Sequence, residues 1–411
     1  MGLRTPDAGG EYRQPPSDHM SEEQRQNILH MLQDNVRMLQ LQGMDLRPST
    51  TTQVAFQWPL RKAAGFNDSG YCAISNYVDH SPPGSIVDYN CGNRSYDGHK
   101  GTDIYLWPFA WHKMFTSAVE VISSAPGTII GKTDNFSDLS CATCSNCNWN
   151  AVYVQHADGS VAWYGHLKTG SVTAKTVGQT VVTGEYLGVV GSSGNSTGPH
   201  LHFEIYNTNY SDRIDPYVGD CNGWNTSTWW ANQEQYRMPT LNTVMTHSSM
   251  PTPYGCHTVE VMNLKTQFIL GEEVYLGSYY RDQIFNIISD HKLVKPNGTI
   301  HETWTSNNGA AYSSSWWIYV RQLPTDPSAI GTWKYEVTYN GKTVTTNFTV
   351  LDFPTSLPQV EGLERFYIAP NPSKGQFLLH LQLRMQKQVS FMVYDASGKE
   401  VMQTIPESMN G

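Results

Sequence analysis

Five side chains that could bind a metal or transfer a proton lie on three short stretches with the pattern of strands or tight turns. The stretches are residues 98–103 (GHKGTD), 164–167 (YGHL) and 198–202 (GPHLH), and the last continues into the strand-like FEIY. The candidate side chains are His99, Asp103, His166, His200 and His202. Three of them are enough for a zinc site with an open fourth position, and two imidazoles then remain for proton transfer. The fold must therefore bring three separate β segments together.

The spacing of these residues sets limits on the backbone. His99 and Asp103 are four residues apart, which on a flat strand is about 13 Å, too far for two ligands of one ion. Gly98 and Gly101 allow the chain to bulge or turn sharply, and this interpretation is favoured over a helix because a strand-like segment follows. His200 and His202 project from the same face of a strand.

The pattern of the central region predicts an antiparallel β fold. Short β-like runs broken by Gly, Asn and Asp extend over residues 56–240. Residues 151–156 and 160–166 flank an Ala-Asp-Gly turn, which is a strong hairpin signal. We therefore predict a mainly β chain whose catalytic domain, residues 56–240, is antiparallel and carries the candidate site in an open groove. His112 and His156 are interpreted as structural.

The flanking regions show other patterns. We predict disorder over residues 1–20 and a short N-terminal helix, about 21–41, within a segment that ends at 55. Ser21 and Gln24 form a capping box for this helix, which either packs on the domain or is the remnant of a pro-segment that covers the site. Residues 258–351 have the alternating pattern of strands, interrupted by regularly spaced turns, which predicts an immunoglobulin-like β-sandwich. A linker is predicted at 352–362.

Composition and cysteines favour an exported protein. Only 15% of the residues are charged and 12% are aromatic, as is typical of extracellular β-rich domains, and the net charge of −9 without a basic run argues against nucleic acid as a partner. The sequence contains no run of 18 apolar residues, so it predicts no transmembrane helix. Residues 1–20 lack the apolar core of a signal peptide. The seven cysteines predict disulfides with one left over; a thiolate metal cluster at Cys141, Cys144 and Cys147 is the alternative.

The order of the motifs resembles a known family. H-x-x-x-D, Y-x-H-L and G-x-S-T-G-P-H-L-H-F-E, within residues 90–218, resemble the lysostaphin/LytM-type zinc endopeptidases of peptidoglycan. The resemblance implies one zinc ion per chain held by His99, Asp103 and His202, with His166 and His200 as the catalytic pair. None of the five positions departs from the family pattern.

The C-terminal part resembles a second family. N-P-x-x-G at 371–375 and Y-D-x-x-G-K-x-V at 394–401 resemble the sorting domain of type IX secretion in Bacteroidetes. The resemblance implies a small β domain over residues 363–411 and export by the type IX machinery. The family normally continues into a final strand, so we expect a truncated sorting domain. Another adhesive β module is the alternative.

Together these features predict a secreted or cell-surface monomer that hydrolyses peptide bonds in peptidoglycan cross-links with zinc. One alternative is an extracellular protease that acts on Gly-rich proteins. Another is a non-catalytic wall-binding or amidase-activating module, which would not need the complete set of metal ligands.

Overall fold

The computed structural model describes residues 2–15, 20–144, 147–208, 210, 212–307 and 309–352, and in the C-terminal part 363–369, 378–384, 387–394, 400–403 and 407–409. Residues Met1–Leu351 form one compact unit, and Asp352–Gly411 form a second. Strands prevail over helices among the described residues, so the predicted mainly β class is confirmed.

The first unit contains two α-helices and a short 3-10 helix among its described residues. The helices are α1 (Glu22–Leu41) and α2 (Ala110–Phe115), and the 3-10 helix is Pro327–Ala329. The strands are β1 (Ala8–Tyr12), β2 (Leu60–Lys62), β3 (Cys72–Asn76), β4 (Thr102–Leu106), β5 (Val119–Ile122), β6 (Gly127–Thr133), β7 (Ala151–His156), β8 (Val161–Gly165), β9 (Thr180–Val181), β10 (Tyr186–Val189), β11 (His200–Tyr206), β12 (Arg213–Ile214), β13 (Thr240–His247), β14 (Gln267–Ile269), β15 (Glu273–Arg281), β16 (Ser289–Val294), β17 (Ile300–Ser306), β18 (Ser314–Gln322), β19 (Gly331–Tyr339) and β20 (Lys342–Leu351).

Helix α1 packs on the central sheet. It begins after Ser21, whose side chain accepts a hydrogen bond from the Gln24 amide at 3.1 Å, as the predicted capping box requires. Ile28, Leu29 and Leu32 are buried in one cluster with sheet residues that include Tyr153 and Trp163. Burial of each aliphatic side chain stabilises this docking by about 1.5–3 kcal/mol. The predicted helix and its packing on the domain are confirmed.

The central sheet carries the three motif stretches. Its strand order is β3-β4-β11-β8-β7-β6-β9, and all its pairings are antiparallel. Strands β7 and β8 form the predicted hairpin. Strand β11 is buried along its whole length, because one face packs into a core that includes Leu201 and Phe203 and the other carries the polar candidate residues.

Two further sheets enclose a second core. Their orders are β1-β18-β15-β13 and β14-β20-β19-β16-β17, and both contribute to a cluster that includes Leu276, Trp317 and Tyr335. One of the turns in this region, at Asn340-Gly341, joins β19 to β20 as a hairpin. The first of the two sheets also includes β13 and β1, which lie outside the predicted 258–351 boundaries. The immunoglobulin-like topology stays a prediction.

The first residues of the chain differ from the sequence expectation. The sequence predicts disorder over 1–20, but Ala8–Tyr12 is a strand that pairs with β18 along its full length. This pairing uses backbone hydrogen bonds at a sheet edge, so a short polar Gly-rich segment can join the sheet without an apolar pattern that sequence reasoning would detect.

Six cysteines form disulfides in the structure. The pairs are Cys91–Cys221, Cys141–Cys256 and Cys144–Cys147, and Cys72 is a buried thiol whose pKa burial raises to about 12. The prediction of disulfides with one cysteine left over is confirmed. His257 lies next to the second pair, with Nδ1 3.3 Å from the Cys141 sulfur. Because Cys141 and Cys256 are joined in a disulfide, neither offers a thiolate to a metal ion in this state.

The second unit is described only in part. Its strands are β21 (Leu363–Ala369), β22 (Leu378–Leu383), β23 (Lys387–Val389), β24 (Met392–Tyr394), β25 (Glu400–Gln403) and β26 (Glu407–Met409). They pair as β21–β22, β23–β26 and β24–β25, each antiparallel. Most of the predicted linker and the N-P-x-x-G segment lie outside the described residues. Among the helices that the structure describes, none has the length and apolar character needed to cross a bilayer.

Candidate metal centre

Strand register places the candidate ligands side by side. Strands β4 and β11 are antiparallel neighbours in which Asp103 is directly opposite His202, and on the other side of β11 His202 is opposite Gly165, the last residue of β8. His99 lies in the turn before β4, where Gly98 has a φ of +74°. A turn that leads into a strand, and not a helix, therefore brings His99 and Asp103 together, as the glycine pattern predicts.

Three side chains converge closely enough to share one ion. His99 Nε2 lies 3.2 Å from Asp103 Oδ2, and His202 Nδ1 lies 2.9 Å from Asp103 Oδ1. One donor atom from each of the three residues lies within 4.8 Å of the others. Zinc bound at about 2.0–2.2 Å by each ligand requires donor atoms within about 4 Å of one another, and the 3.2 and 2.9 Å contacts with Asp103 meet this requirement. The chemistry of the set, two imidazoles and a carboxylate, also fits zinc.

Backbone carbonyls fix the orientation of three imidazoles. The Nδ1 atoms of His99, His166 and His200 lie 2.7, 2.6 and 2.8 Å from the carbonyl oxygens of residues 77, 193 and 198, respectively. A carbonyl oxygen only accepts, so each Nδ1 carries the hydrogen and each Nε2 keeps its lone pair in the neutral ring.

The two remaining histidines lie next to the three convergent side chains. The rings of His166 and His200 are 4.4 Å apart between centroids, and His200 Nε2 is 3.7 Å from Asp103 Oδ1. The structure therefore brings all five predicted side chains to one place. His156 is elsewhere, with Nδ1 2.8 Å from the Pro126 carbonyl oxygen, and His112 is exposed on α2.

Both nitrogens of His202 face carboxylates. Its Nε2 lies 3.0 Å from Glu204 Oε2, on the side opposite Asp103. Burial by itself would raise the pKa of Asp103, but the charge of His99 and hydrogen bonds from His202 and His99 bring this pKa below its usual range. Burial likewise opposes ionisation of Glu204, but Arg25 and His202 lower its pKa to about 2. Both acids are therefore carboxylates at neutral pH.

Small and large residues shape the space around the imidazoles. A Cβ atom on Gly101 would lie 2.7 Å from His202 Nε2 and 2.8 Å from the Phe203 carbonyl oxygen, so only glycine fits. Trp149 packs edge-on against the His166 ring, with 5.0 Å between the ring centroids, and its centroid lies 5.9 Å from that of the His202 ring. Sequence reasoning missed Trp149, because nothing in its local pattern connects it to the motifs.

The segment before α1 covers one side of the site. Gln14 is buried, and its Nε2 donates to the Gly198 carbonyl oxygen at 3.0 Å, while the Thr197 hydroxyl donates to the Pro15 carbonyl oxygen at 2.7 Å. Tyr12 stacks on aromatic rings on both sides. The five predicted side chains are at most 3% exposed. In the part of the chain that the structure describes they are thus enclosed, and the open groove expected from the sequence is not seen around them.

Comparisons with known proteins match this part of the chain. The family model described as Peptidase family M23 matches residues 98–216, which contain all five candidate residues. Over 55 residues, 13% of this chain and 12% of the relative, the chain is 49% identical to DD-carboxypeptidase/endopeptidase Mpg of Neisseria meningitidis serogroup B (strain ATCC 13091 / M2091). Over 68 residues, which are 16% of this chain and 11% of the relative, it is 43% identical to cell division protein DipM of Caulobacter vibrioides (strain NA1000 / CB15N). The matches thus span only 12% and 11% of these relatives.

Solved structures show a weak overall likeness. The catalytic domain of lysostaphin from Staphylococcus simulans is 22% identical, with 38% of this chain and 96% of that chain covered, at a TM-score of 0.21. A mutant catalytic domain of the prophage-encoded M23 protein EnpA from Enterococcus faecalis is 25% identical, with 36% and 90% covered, at a TM-score of 0.24. The likeness of residues 98–216 to Peptidase family M23 is shown by the match to the family model.

Proposed function

We propose that this chain, whose residues 98–216 carry a Peptidase family M23 domain, is a zinc-dependent endopeptidase that hydrolyses peptide bonds in peptidoglycan cross-links. One observation carries the proposal: donor atoms of His99, Asp103 and His202 lie within 4.8 Å of one another. A module that only binds cell walls or activates an amidase has no need of such a site.

The residues present fit the roles that hydrolysis requires. His99 through Nε2, Asp103 through its carboxylate and His202 through Nδ1 would hold one zinc ion. Zinc in such a site supplies a more acidic bound water and polarises the carbonyl under attack. His166 and His200 each keep Nε2 as a proton acceptor, because their Nδ1 hydrogens are bound to backbone carbonyls. One of them takes the proton of the attacking water, and a proton is returned to the leaving amine.

The nature of the substrate is supported by the relatives over their short matched segments. One relative is named a DD-carboxypeptidase/endopeptidase and another a cell division protein, which favours peptidoglycan over Gly-rich extracellular proteins. The net charge of −9 provides no general attraction to an anionic wall, so recognition would depend on specific contacts.

We also propose that the chain acts outside the cytoplasm as a monomer after export by the type IX machinery. Three disulfides support an oxidising compartment, and the N-P-x-x-G and Y-D-x-x-G-K-x-V segments support the route. Residues 352–411, extended by the final strand that the sorting family normally carries and fused to a fluorescent protein, should reach the surface of a host with this machinery and stay inside a mutant that lacks it. Retention in both hosts would contradict the route.

The proposed activity is tested on the full chain with purified cell walls, pentaglycine and elastin, each with and without a chelator. We expect wall cleavage that the chelator abolishes. His99→Ala and His202→Ala should lose zinc and activity, whereas His200→Ala should keep zinc and lose turnover. His112→Ala, an exposed histidine outside the site, is the matched control and should match the wild type.

Three outcomes would contradict parts of this proposal. Wall cleavage that survives chelation would exclude the zinc mechanism. Full activity of His202→Ala would exclude the ligand assignment. Cleavage of elastin without cleavage of walls would instead support the alternative of a protease for Gly-rich proteins.

A further inference from the structure

We infer that Arg25, on helix α1, is a positioning residue of the metal centre: it holds Glu204, and Glu204 orients His202. The inference rests on the proposed function, because it concerns how His202 is presented to an ion. It assigns a role to a helix that precedes the family match at residues 98–216 and contributes none of the predicted site residues.

The first link joins α1 to the central sheet. Arg25 Nη1 lies 2.5 Å from Glu204 Oε1 and 2.6 Å from the Tyr206 hydroxyl, and its guanidinium lies over the Trp163 ring at 5.6 Å. The side chains of Arg25 and Glu204 are 7% and 0% exposed. A guanidinium that is held on a ring and bound at two acceptors has little freedom, so it fixes the carboxylate that it binds.

The second link joins Glu204 to the candidate ligand. Glu204 Oε2 lies 3.0 Å from His202 Nε2, while His202 Nδ1 lies 2.9 Å from Asp103. A carboxylate only accepts hydrogen bonds, so Glu204 takes the hydrogen of Nε2 and leaves Nδ1, which faces Asp103, as the nitrogen that would bind an ion. Such a carboxylate behind a metal-binding imidazole fixes its tautomer and ring orientation, and loss of the carboxylate costs about 10–100-fold in metal affinity.

The two oxygens of Glu204 connect the links. Oε1 is bound to Arg25 and Oε2 to His202, so the guanidinium sets the plane in which the second oxygen meets the imidazole. Without Arg25 the carboxylate loses its charged partner at Oε1 and keeps the hydrogen bond of the Tyr206 hydroxyl. It can then rotate away from Nε2, which leaves the ring of His202 less firmly oriented. Arg25 thus acts on the metal site through Glu204, without contact to the ion.

This chain of contacts also distinguishes two roles of α1. A pro-segment that only covers a site can be removed without loss of the site beneath it. Helix α1 instead supplies the cation that pairs with a buried carboxylate, and Ile28, Leu29 and Leu32 anchor it to the sheet. Removal of α1 would leave that carboxylate buried without its guanidinium, so α1 belongs to the mature metal centre.

The test compares Arg25→Met, which keeps the length of the side chain and removes its charge, with Arg25→Lys and with the control Arg37→Met, an exposed arginine of the same helix. Zinc affinity is measured by competition with a chromophoric chelator, and folding by circular dichroism. We expect Arg25→Met to weaken zinc binding about 10–100-fold and Arg25→Lys to weaken it less. Arg37→Met should bind zinc as the wild type does.

Two further measurements separate positioning from general damage to the structure. In the zinc-loaded protein, the Nε2–H proton of His202, identified by its absence in His202→Ala, should give a hydrogen-bonded signal that exchanges slowly with water in the wild type and faster in Arg25→Met. Glu204→Gln should weaken zinc binding as much as Arg25→Met does. The double variant should be no weaker than either single variant, because both act through one contact.

The outcomes separate this inference from the proposed function. A wild type that binds zinc, together with zinc affinity within threefold of it in both Arg25→Met and Arg25→Lys, overturns the inference alone. Fully additive losses in the double variant overturn it as well. A wild type that cleaves walls without zinc overturns the proposed function and this inference together. If Arg25→Met does not fold, Arg25→Lys decides: unchanged zinc affinity overturns the inference, and weaker binding with a wild-type exchange rate of the His202 Nε2–H proton does so too.

Discussion

The substitution Gly101→Ala tests the packing of the metal centre most directly. The new Cβ would lie 2.7 Å from His202 Nε2 and 2.8 Å from the Phe203 carbonyl oxygen, well inside ordinary contact distance. The Phe203 oxygen belongs to the backbone of a central strand and cannot move away. The imidazole must therefore shift, although Asp103 and Glu204 hold its two nitrogens at 2.9 and 3.0 Å.

The cost of that shift has two parts. Overpacking of a buried site costs about 1–3 kcal/mol, and loss of one hydrogen bond to a charged group costs about 1.5–3 kcal/mol. We therefore expect the free energy of unfolding of the metal-free protein to fall by about 2.5–6 kcal/mol. Zinc affinity should fall as well, since His202 no longer points its Nδ1 towards Asp103 and His99.

Urea unfolding and chelator competition measure these two quantities. Gly223→Ala is the matched control, because a Cβ at Gly223 meets no atom within 4 Å. A Gly101→Ala protein that unfolds at the same urea concentration as Gly223→Ala and binds zinc equally well would refute this account of the packing.

Three other predictions concern metal, pH and cross-links. Saturating zinc at 100 times its Kd should stabilise the wild type by about 2.7 kcal/mol, seen as a higher melting temperature that chelation reverses; the same rise in His202→Ala would show that the ion binds elsewhere. His247 is buried and its pKa is lowered to about 4, chiefly by burial. The unfolded chain thus binds more protons than the folded chain between about pH 4 and 6.5, so the free energy of unfolding should fall by about 3 kcal/mol as pH drops through this window. Urea unfolding of His247→Asn should lack this part of the loss. A pH profile identical to that of the wild type would argue against a role of His247. Replacement of Cys91 and Cys221 by alanine opens a link across 130 residues and should cost about 2–5 kcal/mol in unfolding free energy, whereas an unchanged urea midpoint would show that the cross-link does not restrict the unfolded chain.

The local pattern was sufficient for much of the site. The two-residue period of a strand predicted that His200 and His202 share a face, and both lie next to Asp103 in the structure. The glycines around His99 predicted a turn instead of a helix, and Gly98 has the positive φ that this turn requires. The roles of the five residues stay predictions.

Other parts of the site left no local trace. Gln14 and Arg25 reach the centre from segments 184 and 179 residues away from the residues that they bind. The Gly-rich run at Ala8–Tyr12 has no apolar alternation, and it became a strand only because β18 offered an edge. Glu204 was visible as part of the H-L-H-F-E motif, but its partner on α1 was not.

Local sequence specifies which side chains are available, the strands that carry them and the positions where glycine lets the chain turn, because these properties depend on neighbours a few residues apart. Three features arise only when distant segments pack together: Asp103 faces His202 across two strands, Arg25 meets Glu204, and the chain before α1 encloses the site. These contacts depend on how distant segments pack around a shared core, and the free energy of that packing is a property of the whole fold.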